Sequence, residues 1–429
     1  MKKVKLGVFG AGRGMTMVNE ILHDPMAELV AVCDKYKPLL DRCKKTAEAA
    51  GMYNVAYYER FDDFFQHDMD AVVLANYANE HVPFGIRLME SGRHIMTECL
   101  TCATMKEAVE LIEAVERTGM IYTYAENYCY TPVRWEMRQR YRRGDIGELM
   151  YAEGEYLHDC APIWPQITYG ERNHWRNAIT YPNFYCTHSF GPLMTITGCR
   201  PVKVTGFITN HNAGQKPSGD HAGIRAALEM VVMDNGSIAR SLHGALKREP
   251  GSINYRVYGM KGCLESEVFT PSYAPEDAKR EILVYKEGEK LCIGDTEKYA
   301  PDPAAHCAMA KEFVTHGGAD FYPTHFFIEK IRGTEDGKKY SIDVYDAVDM
   351  GIIGILAHRS ALAGGIPMDV PNFRNKEERD AWRNDNKSTN RKISFGEDRL
   401  PNCPEGSFQY PPEVYERIRK LFEEGKNDA

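Results

Sequence analysis

No stretch of this 429-residue chain approaches the ~20 consecutive apolar residues of a membrane-spanning helix. Met1, Lys2 and Lys3 run straight into an apolar strand, without the apolar core or cleavage site of a secretory signal, so the expected location is the cytoplasm. Positive charge is not in excess either. Lys+Arg number 53 against 61 Asp+Glu, and a formal net charge of −8 offers no basic field to nucleic acid or to an anionic membrane. The 12 cysteines lack the paired spacings of a zinc site or a disulfide framework and are expected as free thiols. Cys99 and Cys102 have C-x-x-C spacing, but nothing thioredoxin-like surrounds them. No internal repeat is evident. With 43% hydrophobic and 27% charged residues, the chain can bury a large core in two domains, and small-molecule chemistry is its expected work.

The informative feature is the first 34 residues. Val4 to Phe9 reads as a buried strand, Gly10-Ala11-Gly12-Arg13-Gly14 as a turn, Met15 to Leu22 as a helix, and Leu29 to Cys33 as a second strand ending at Asp34. This is a dinucleotide-binding βαβ start. Glycines let the backbone approach a pyrophosphate, and a helix N-terminus offers it unpaired N–H groups. Asp34, about 20 residues on, suits the adenosine ribose hydroxyls and repels a 2′-phosphate, so NAD is expected over NADP. The third glycine of G-x-G-x-x-G is displaced, since Met15 stands at its position.

The βα rhythm continues to about residue 125, with strands at Asp70 to Ala75, Gly92 to Glu98 and Met120 to Tyr124. A helix begins at His81, and another is capped by Thr104 with Glu107 and stopped by Gly119. In an open parallel sheet, ligands sit beyond the carboxyl ends of the strands, which points Asn76, Tyr77, His81, Glu98 and Glu126 toward one crevice. After residue 145 the pattern changes to longer strands separated by turns, at 148–157, 202–209, 226–232, 237–242, 253–258 and 282–285. Helices are expected at 304–316 and 344–363, with an apolar stripe of Val414, Ile418, Leu421 and Phe422 near the end. The expectation is an α/β protein: a Rossmann domain over 1–125 and, over 126–429, an α/β domain built on a mostly antiparallel open sheet. A polar stretch at 374–409 reads as a surface loop or arm.

The glycine turn, the His81 segment, the strand end at Glu98, the Gly144 to Glu148 transition and the closing run from Ser360 to Pro367 resemble the Gfo/Idh/MocA oxidoreductases. That resemblance implies an open sheet that often mediates oligomer contacts, hence a homo-oligomer, dimer or tetramer. Simple dehydrogenases of the family carry Glu-Lys-Pro where this chain has Glu98-Cys99-Leu100. A closer resemblance is to NAD-dependent glycoside hydrolases of the α-N-acetylgalactosaminidase type. It rests on Glu126 to Tyr130 (E-N-Y-C-Y), Gly154 to Asp159 (G-E-Y-L-H-D), Asn173 to Arg176 (N-H-W-R) and Tyr185 to Pro192 (Y-C-T-H-S-F-G-P).

Strand alternation puts Tyr156 and His158 on one face. Tyr185 and His188 share a face if their segment is helical, with Gly191-Pro192 read as a bend. The resemblance implies an NAD-dependent cleavage of a glycoside by transient oxidation at C3, deprotonation at C2, elimination, water addition and re-reduction. Tyr156 would be the C2 base, assisted by His158. Glu126 and His188 would handle hydroxyl protons or hold the sugar, and Arg176 and Tyr185 would line the substrate side. Trp175 is a packing residue or a sugar-stacking wall, and Tyr322, in the segment from His316 to His325, approaches the site in relatives. The cofactor side comprises Gly10, Gly12, Arg13, Gly14, Asp34, Asn76, His81 and Glu98, and no metal is implied. Two other functions stay open: an oxidoreductase forming a 3-keto sugar, and a non-catalytic NAD-binding sensor.

Overall fold

The computed structural model describes residues 2–178, 181–209, 226–246, 251–266, 280–288, 294–313, 315–407 and 410–425. Two compact units emerge. Unit 1 comprises Met1–Pro132, Asp302–Val348 and Phe373–Lys376, and unit 2 comprises Val133–Pro301, Asp349–Asn372 and Glu377–Ala429. Among the described residues no helix is long and apolar enough to cross a membrane.

Unit 1 is built on a parallel sheet of β1 (Val4–Phe9), β2 (Ala27–Cys33), β3 (Ala56–Tyr58), β4 (Ala71–Leu74), β5 (His94–Thr97) and β6 (Tyr122–Tyr124). The strand order is 3-2-1-4-5-6. Leu6, Val8, Ile95, Met96 and all of β4 are fully buried, as a sheet covered on both faces requires. The order reverses between β1 and β4, which marks the ligand crevice of such a sheet. Helix Met105–Thr118 starts as its sequence dictates. The Thr104 hydroxyl accepts the Glu107 N–H at 3.1 Å, and the Glu107 carboxylate reaches back to the Ala103 N–H at 2.7 Å. Gly119 closes the helix with φ of 66°.

Residues 302–348, expected in the second domain, belong to unit 1. Helix Phe321–Ile331 is the reason: its Phe327 and Ile328 join the apolar cluster of Val8, Val18 and Ile21. That helix was not expected, whereas the one expected at 304–316 is replaced by short 3-10 turns at Ala308–Glu312 and Thr315–Gly318. Phe313 turns extended (φ −117°, ψ 95°) and stacks on Phe321 at 5.2 Å between centroids. Tertiary packing overrides helix propensity there.

Unit 2 holds a sheet of β7 (Leu149–Leu157), β8 (Pro201–Ile208), β9 (Ala226–Met233), β10 (Ile238–Gly244), β11 (Ser252–Gly259), β12 (Gly262–Ser266), β13 (Ile282–Lys286), β14 (Asp295–Tyr299) and β15 (Met368–Asp369). The order is 14-13-12-11-7-10-9-8-15. Among the described residues of this sheet only β7 and β10 pair in parallel, so it is mixed and mostly antiparallel. The α/β class and the character of both sheets are as expected. The sequence reading omits β3, β12, β14 and β15; β14, for instance, is D-T-E-K-Y and nearly all exposed, with no apolar alternation to betray it.

Helix Thr187–Thr197 is buried along its whole length. Gly154 admits it, because a Cβ there would stand 1.7 Å from the Ser189 carbonyl oxygen. Pro192 lies inside this helix, which runs on to Thr197 instead of ending in a tight bend at Gly191-Pro192 as expected. Over its described residues, 374–407, the stretch expected as a surface loop or arm is more ordered than that. It contains helix Lys376–Trp382, and in its unit 2 part Asp385 pairs with both terminal nitrogens of Arg359 at 2.5 and 2.8 Å. Its polar side chains tie its own backbone: Asn386 Nδ2 donates to the Ile393 carbonyl at 2.9 Å, and the Asn390 side chain accepts the Lys392 N–H at 2.9 Å. Asn390 and Ser394 are fully buried as a result.

Candidate active site

In unit 1, β1 runs out into the turn Gly10–Gly14. Gly10 has φ of +97°, and a Cβ on it would lie 2.4 Å from the Ala75 carbonyl carbon and the Asn76 nitrogen, so only glycine lets the exits of β1 and β4 cross. At Gly14 a Cβ would meet the Gly10 oxygen at 2.1 Å and Val8 Cγ1 at 2.7 Å. Gly14 thus performs the close helix–strand approach that the fingerprint gives to its third glycine, which is why Met15 is tolerated. Gly14 also caps helix Met15–His23, whose first N–H groups favour an anion. Asp34, at the end of β2, is held by the N–H of Ala11 at 2.7 Å and of Tyr36 at 2.8 Å. A cradle that any Cβ would fill, a helix N-terminus and a fixed carboxylate fit NAD.

Arg13, expected among the cofactor contacts, is spent on the protein instead. Its Nε lies 2.7 Å from Glu98, its Nη2 and Nη1 reach the two oxygens of Asp320 at 2.6 and 3.3 Å, and Nη1 reaches the Thr16 hydroxyl at 3.2 Å. Asp320 also accepts from Asn127 Nδ2 at 2.8 Å and His316 Nδ1 at 2.7 Å. Burial pushes the Asp320 carboxyl up, but the Arg13 charge and the His316 bond hold it well below the usual carboxylate range. Arg13 is the counter-charge of two carboxylates beside the turn.

His81 is likewise a brace, not an open cofactor contact. It is 1% exposed, with Nδ1 3.0 Å from the Leu100 carbonyl and Nε2 3.3 Å from the Asn76 carbonyl. Burial lowers its pKa to about 4, so the ring is neutral and its single N–H serves one carbonyl at a time. Asn76 donates to Glu80 at 3.3 Å. Glu98 accepts the Cys99 N–H at 3.0 Å. The Cys99 thiol, pushed well up by burial and then by the Glu126 and Glu98 charges, donates to the fully buried Glu126 at 3.4 Å. Tyr322 is a core residue of unit 1: it is 3% exposed, stacks on Phe326 and donates to the Pro303 carbonyl at 3.1 Å, which argues against the expected substrate role.

In unit 2, the alternation along β7 brings Tyr156 Oη within 3.1 Å of His158 Nδ1. The His188 ring lies 4.8 Å and the Tyr185 ring 6.0 Å from the Tyr156 ring, and Tyr185 meets His188 edge-on at 4.4 Å. Tyr185 ends the 3-10 turn Pro182–Tyr185, and His188 stands in the first turn of the following helix. The Arg176 guanidinium covers Trp175 at 4.4 Å and lies 5.9 Å from Tyr185. Trp175 is 6% exposed and packs edge-on against Phe184, so its indole is a support for Arg176 rather than an open sugar wall. The sequence reading missed Cys160, whose sulfur lies 3.6 Å from His158 Nδ1; burial pushes that thiol up to about 11. It also missed Asn127, whose contact with Asp320 no local pattern reveals. A phenol bonded to an imidazole can lose its proton to the ring, which is the arrangement a base with an ordinary pKa of ~10 needs near neutrality.

Residues 4–126 match the family model described as the oxidoreductase family, NAD-binding Rossmann fold, and residues 227–382 match the glycosyl hydrolase 109 C-terminal domain. The chain is accordingly an NAD-dependent enzyme, a glycoside hydrolase or a sugar oxidoreductase. Among its relatives, a glycosyl hydrolase family 109 protein of Phocaeicola vulgatus is 26% identical over 406 residues, covering 86% of this chain and 84% of the relative. One of Porphyromonas gingivalis is 26% identical over 410 residues, covering 87% and 85%. Solved structures of the same fold include a levoglucosan dehydrogenase in complex with NADH and levoglucosan, with TM-score 0.68 and 16% identity over 86% of this chain and 100% of that one. A myo-inositol 2-dehydrogenase from Lactobacillus plantarum gives 0.63 and 17% over the same shares.

Proposed function

We infer that this enzyme is a glycosidase that cleaves by oxidation and elimination instead of displacement at the anomeric carbon. The observation that carries the reading is the bond of Tyr156 Oη to His158 Nδ1 at 3.1 Å, in a chain whose relatives are named glycosyl hydrolase family 109 proteins. Gly10, Gly12, Gly14 and Asp34 would hold NAD, which when bound interconverts the sugar C3 hydroxyl and a ketone with no net redox change over the cycle.

A ketone at C3 acidifies the C2 proton. Tyr156 takes that proton as its own passes to His158. The C2–H and C1–O bonds break, a C1–C2 double bond forms, and the departing oxygen takes up the proton that His158 received. Water then adds across the double bond, its oxygen to C1 and its released proton to His158, while Tyr156 returns a proton to C2 and is reprotonated by His158. His188 and Glu126 accept and return the hydroxyl protons, and Arg176 and Tyr185 hold the sugar. The family's lysine would be a cation able to take the C3 hydroxyl proton; Cys99, a neutral buried thiol, has little power to do so. Proton handling therefore falls to groups such as His188.

The test is incubation of the purified protein with a panel of aryl glycosides and no added cofactor. Aglycone release without net NADH supports the reading. Stoichiometric keto-sugar and NADH without aglycone would make the protein a sugar oxidoreductase, and silence on every substrate would leave an NAD-binding sensor.

A further inference from the structure

Beneath the Tyr156 cluster, unit 2 buries a second set of titratable side chains that the proposed chemistry does not use. Glu229 on β9 and His243 on β10 are 0% and 2% exposed, and Asn183, Ser189 and Ser241 around them are 0%. His243 Nε2 lies 2.7 Å from the Pro182 carbonyl. A carbonyl oxygen only accepts, so Nε2 carries a hydrogen and donates it. The other ring nitrogen, Nδ1, then faces Glu229 Oε2 at 3.5 Å and the Ser189 hydroxyl at 3.5 Å. That carboxylate oxygen has no hydrogen-bond partner among the described residues, so the two side chains meet as a close buried pair. The second Glu229 oxygen accepts from Asn183 Nδ2 at 2.6 Å. Ser189 Oγ bonds the Cys186 carbonyl at 3.0 Å and Ser241 Oγ at 2.8 Å.

Such a set is costly to bury unless satisfied, and apolar side chains of like volume commonly stabilise a core as well or better. What its partners share is their place in the chain. Pro182, Asn183, Cys186 and Ser189 lie on the stretch that carries Tyr185 and His188, and the grips fall on both sides of those two rings. The turn is pressed from another direction as well, since a Cβ on Gly354 would stand 2.3 Å from the Asn183 carbonyl oxygen.

We propose that Glu229 and His243 form a buried lock that positions Tyr185 and His188 for proton handling. The proposal rests on the glycosidase reading for the roles of those two residues. Misplacement of a reacting group by about 1 Å can cost roughly a hundredfold in rate. Loosening the lock should therefore lower kcat with little change in cofactor affinity.

The test compares Glu229→Leu with Glu229→Gln on whichever aryl glycoside the wild type cleaves, with NAD affinity measured by calorimetry. A glutamine oxygen still accepts from Asn183, and its amide can face His243 Nδ1, so Glu229→Gln keeps the grip on the turn. The expected result is kcat down about tenfold or more for Glu229→Leu, NAD affinity within about twofold, and Glu229→Gln within about threefold of wild type. Wild-type kcat in Glu229→Leu, or equal loss in both variants, overturns the proposal. Should Glu229→Leu not fold, Asn183→Ala cuts the same grip and must lower kcat in the same way; unchanged turnover overturns the proposal too. If the wild type cleaves no glycoside, the glycosidase reading has failed separately. NMR of the labelled His188 imidazole then decides: its resonances must move in Glu229→Leu or Asn183→Ala and not in Glu229→Gln, and unmoved resonances reject the lock.

Discussion

The Tyr255 hydroxyl donates to the carbonyl of His188, the acceptor that Pro192, four residues on and lacking an N–H, cannot serve within the helix. Strand β11 thereby repairs a helix defect at the residue assigned to proton handling. Tyr255→Phe is expected to destabilise the protein by about 1–3 kcal/mol, since a buried carbonyl loses its donor. Adding Pro192→Ala to that variant supplies a helical N–H and should recover part of the loss in denaturant midpoint. No recovery would mean that the cost lies in packing.

Tyr156→Phe should abolish C2 chemistry while C3 oxidation stays measurable, because the phenol is assigned to the base step alone. In D₂O the wild type should exchange the C2 proton. A Phe variant that exchanges at the wild-type rate places the base elsewhere.

Cys99→Ala should leave turnover within about tenfold, a barrier change under ~1.4 kcal/mol, since a neutral thiol does little proton work. His188→Ala should cost on the order of a hundredfold or more. The opposite order, with the cysteine variant dead and the histidine variant active on the same glycoside, would reject the assignment.

His81 predicts a pH dependence of stability. Burial lowers its pKa from 6.5 to about 4, so between those values the unfolded chain binds the proton more readily than the folded one. The stabilisation is complete above about 6.5, declines as pH falls, and is lost below about 4. With one pKa unit near 1.4 kcal/mol, the drop is on the order of 3 kcal/mol. Urea melts of His81→Asn, whose amide can serve one carbonyl, should show a flatter dependence across that window; an unchanged slope would assign it to other groups.

Asp34 predicts NAD over NADP by direct titration, because its carboxylate, fixed by two backbone N–H groups, repels a 2′-phosphate. Asp34→Ser should narrow the preference. Tighter NADP binding by the wild type would overturn the assignment.

Local pattern carried much of this protein. The glycine turn with Asp34 marked the nucleotide strand, Thr104 with Glu107 and Gly119 bounded a helix, and the two-residue spacing of Tyr156 and His158 put them on one face. These features depend on neighbours in sequence, where backbone geometry fixes which side chains share a face. Arg13 shows the limit. Its position in the glycine turn suggested a cofactor contact, but a partner more than 300 residues away, Asp320, takes both terminal nitrogens.

The sequence by itself therefore determined the order of βα units, the switch to a strand-rich second half and the residue types available for proton transfer. Tertiary structure decided which polar groups are paired and which remain for chemistry. It drew residues 302–348 into unit 1, folded residues 386–394 of the polar stretch onto their own backbone, and set Glu229 and His243 against the turn of Tyr185. The physical reason is that a buried donor or acceptor must find a partner, and the partner is chosen by proximity in the fold, whatever the distance along the chain.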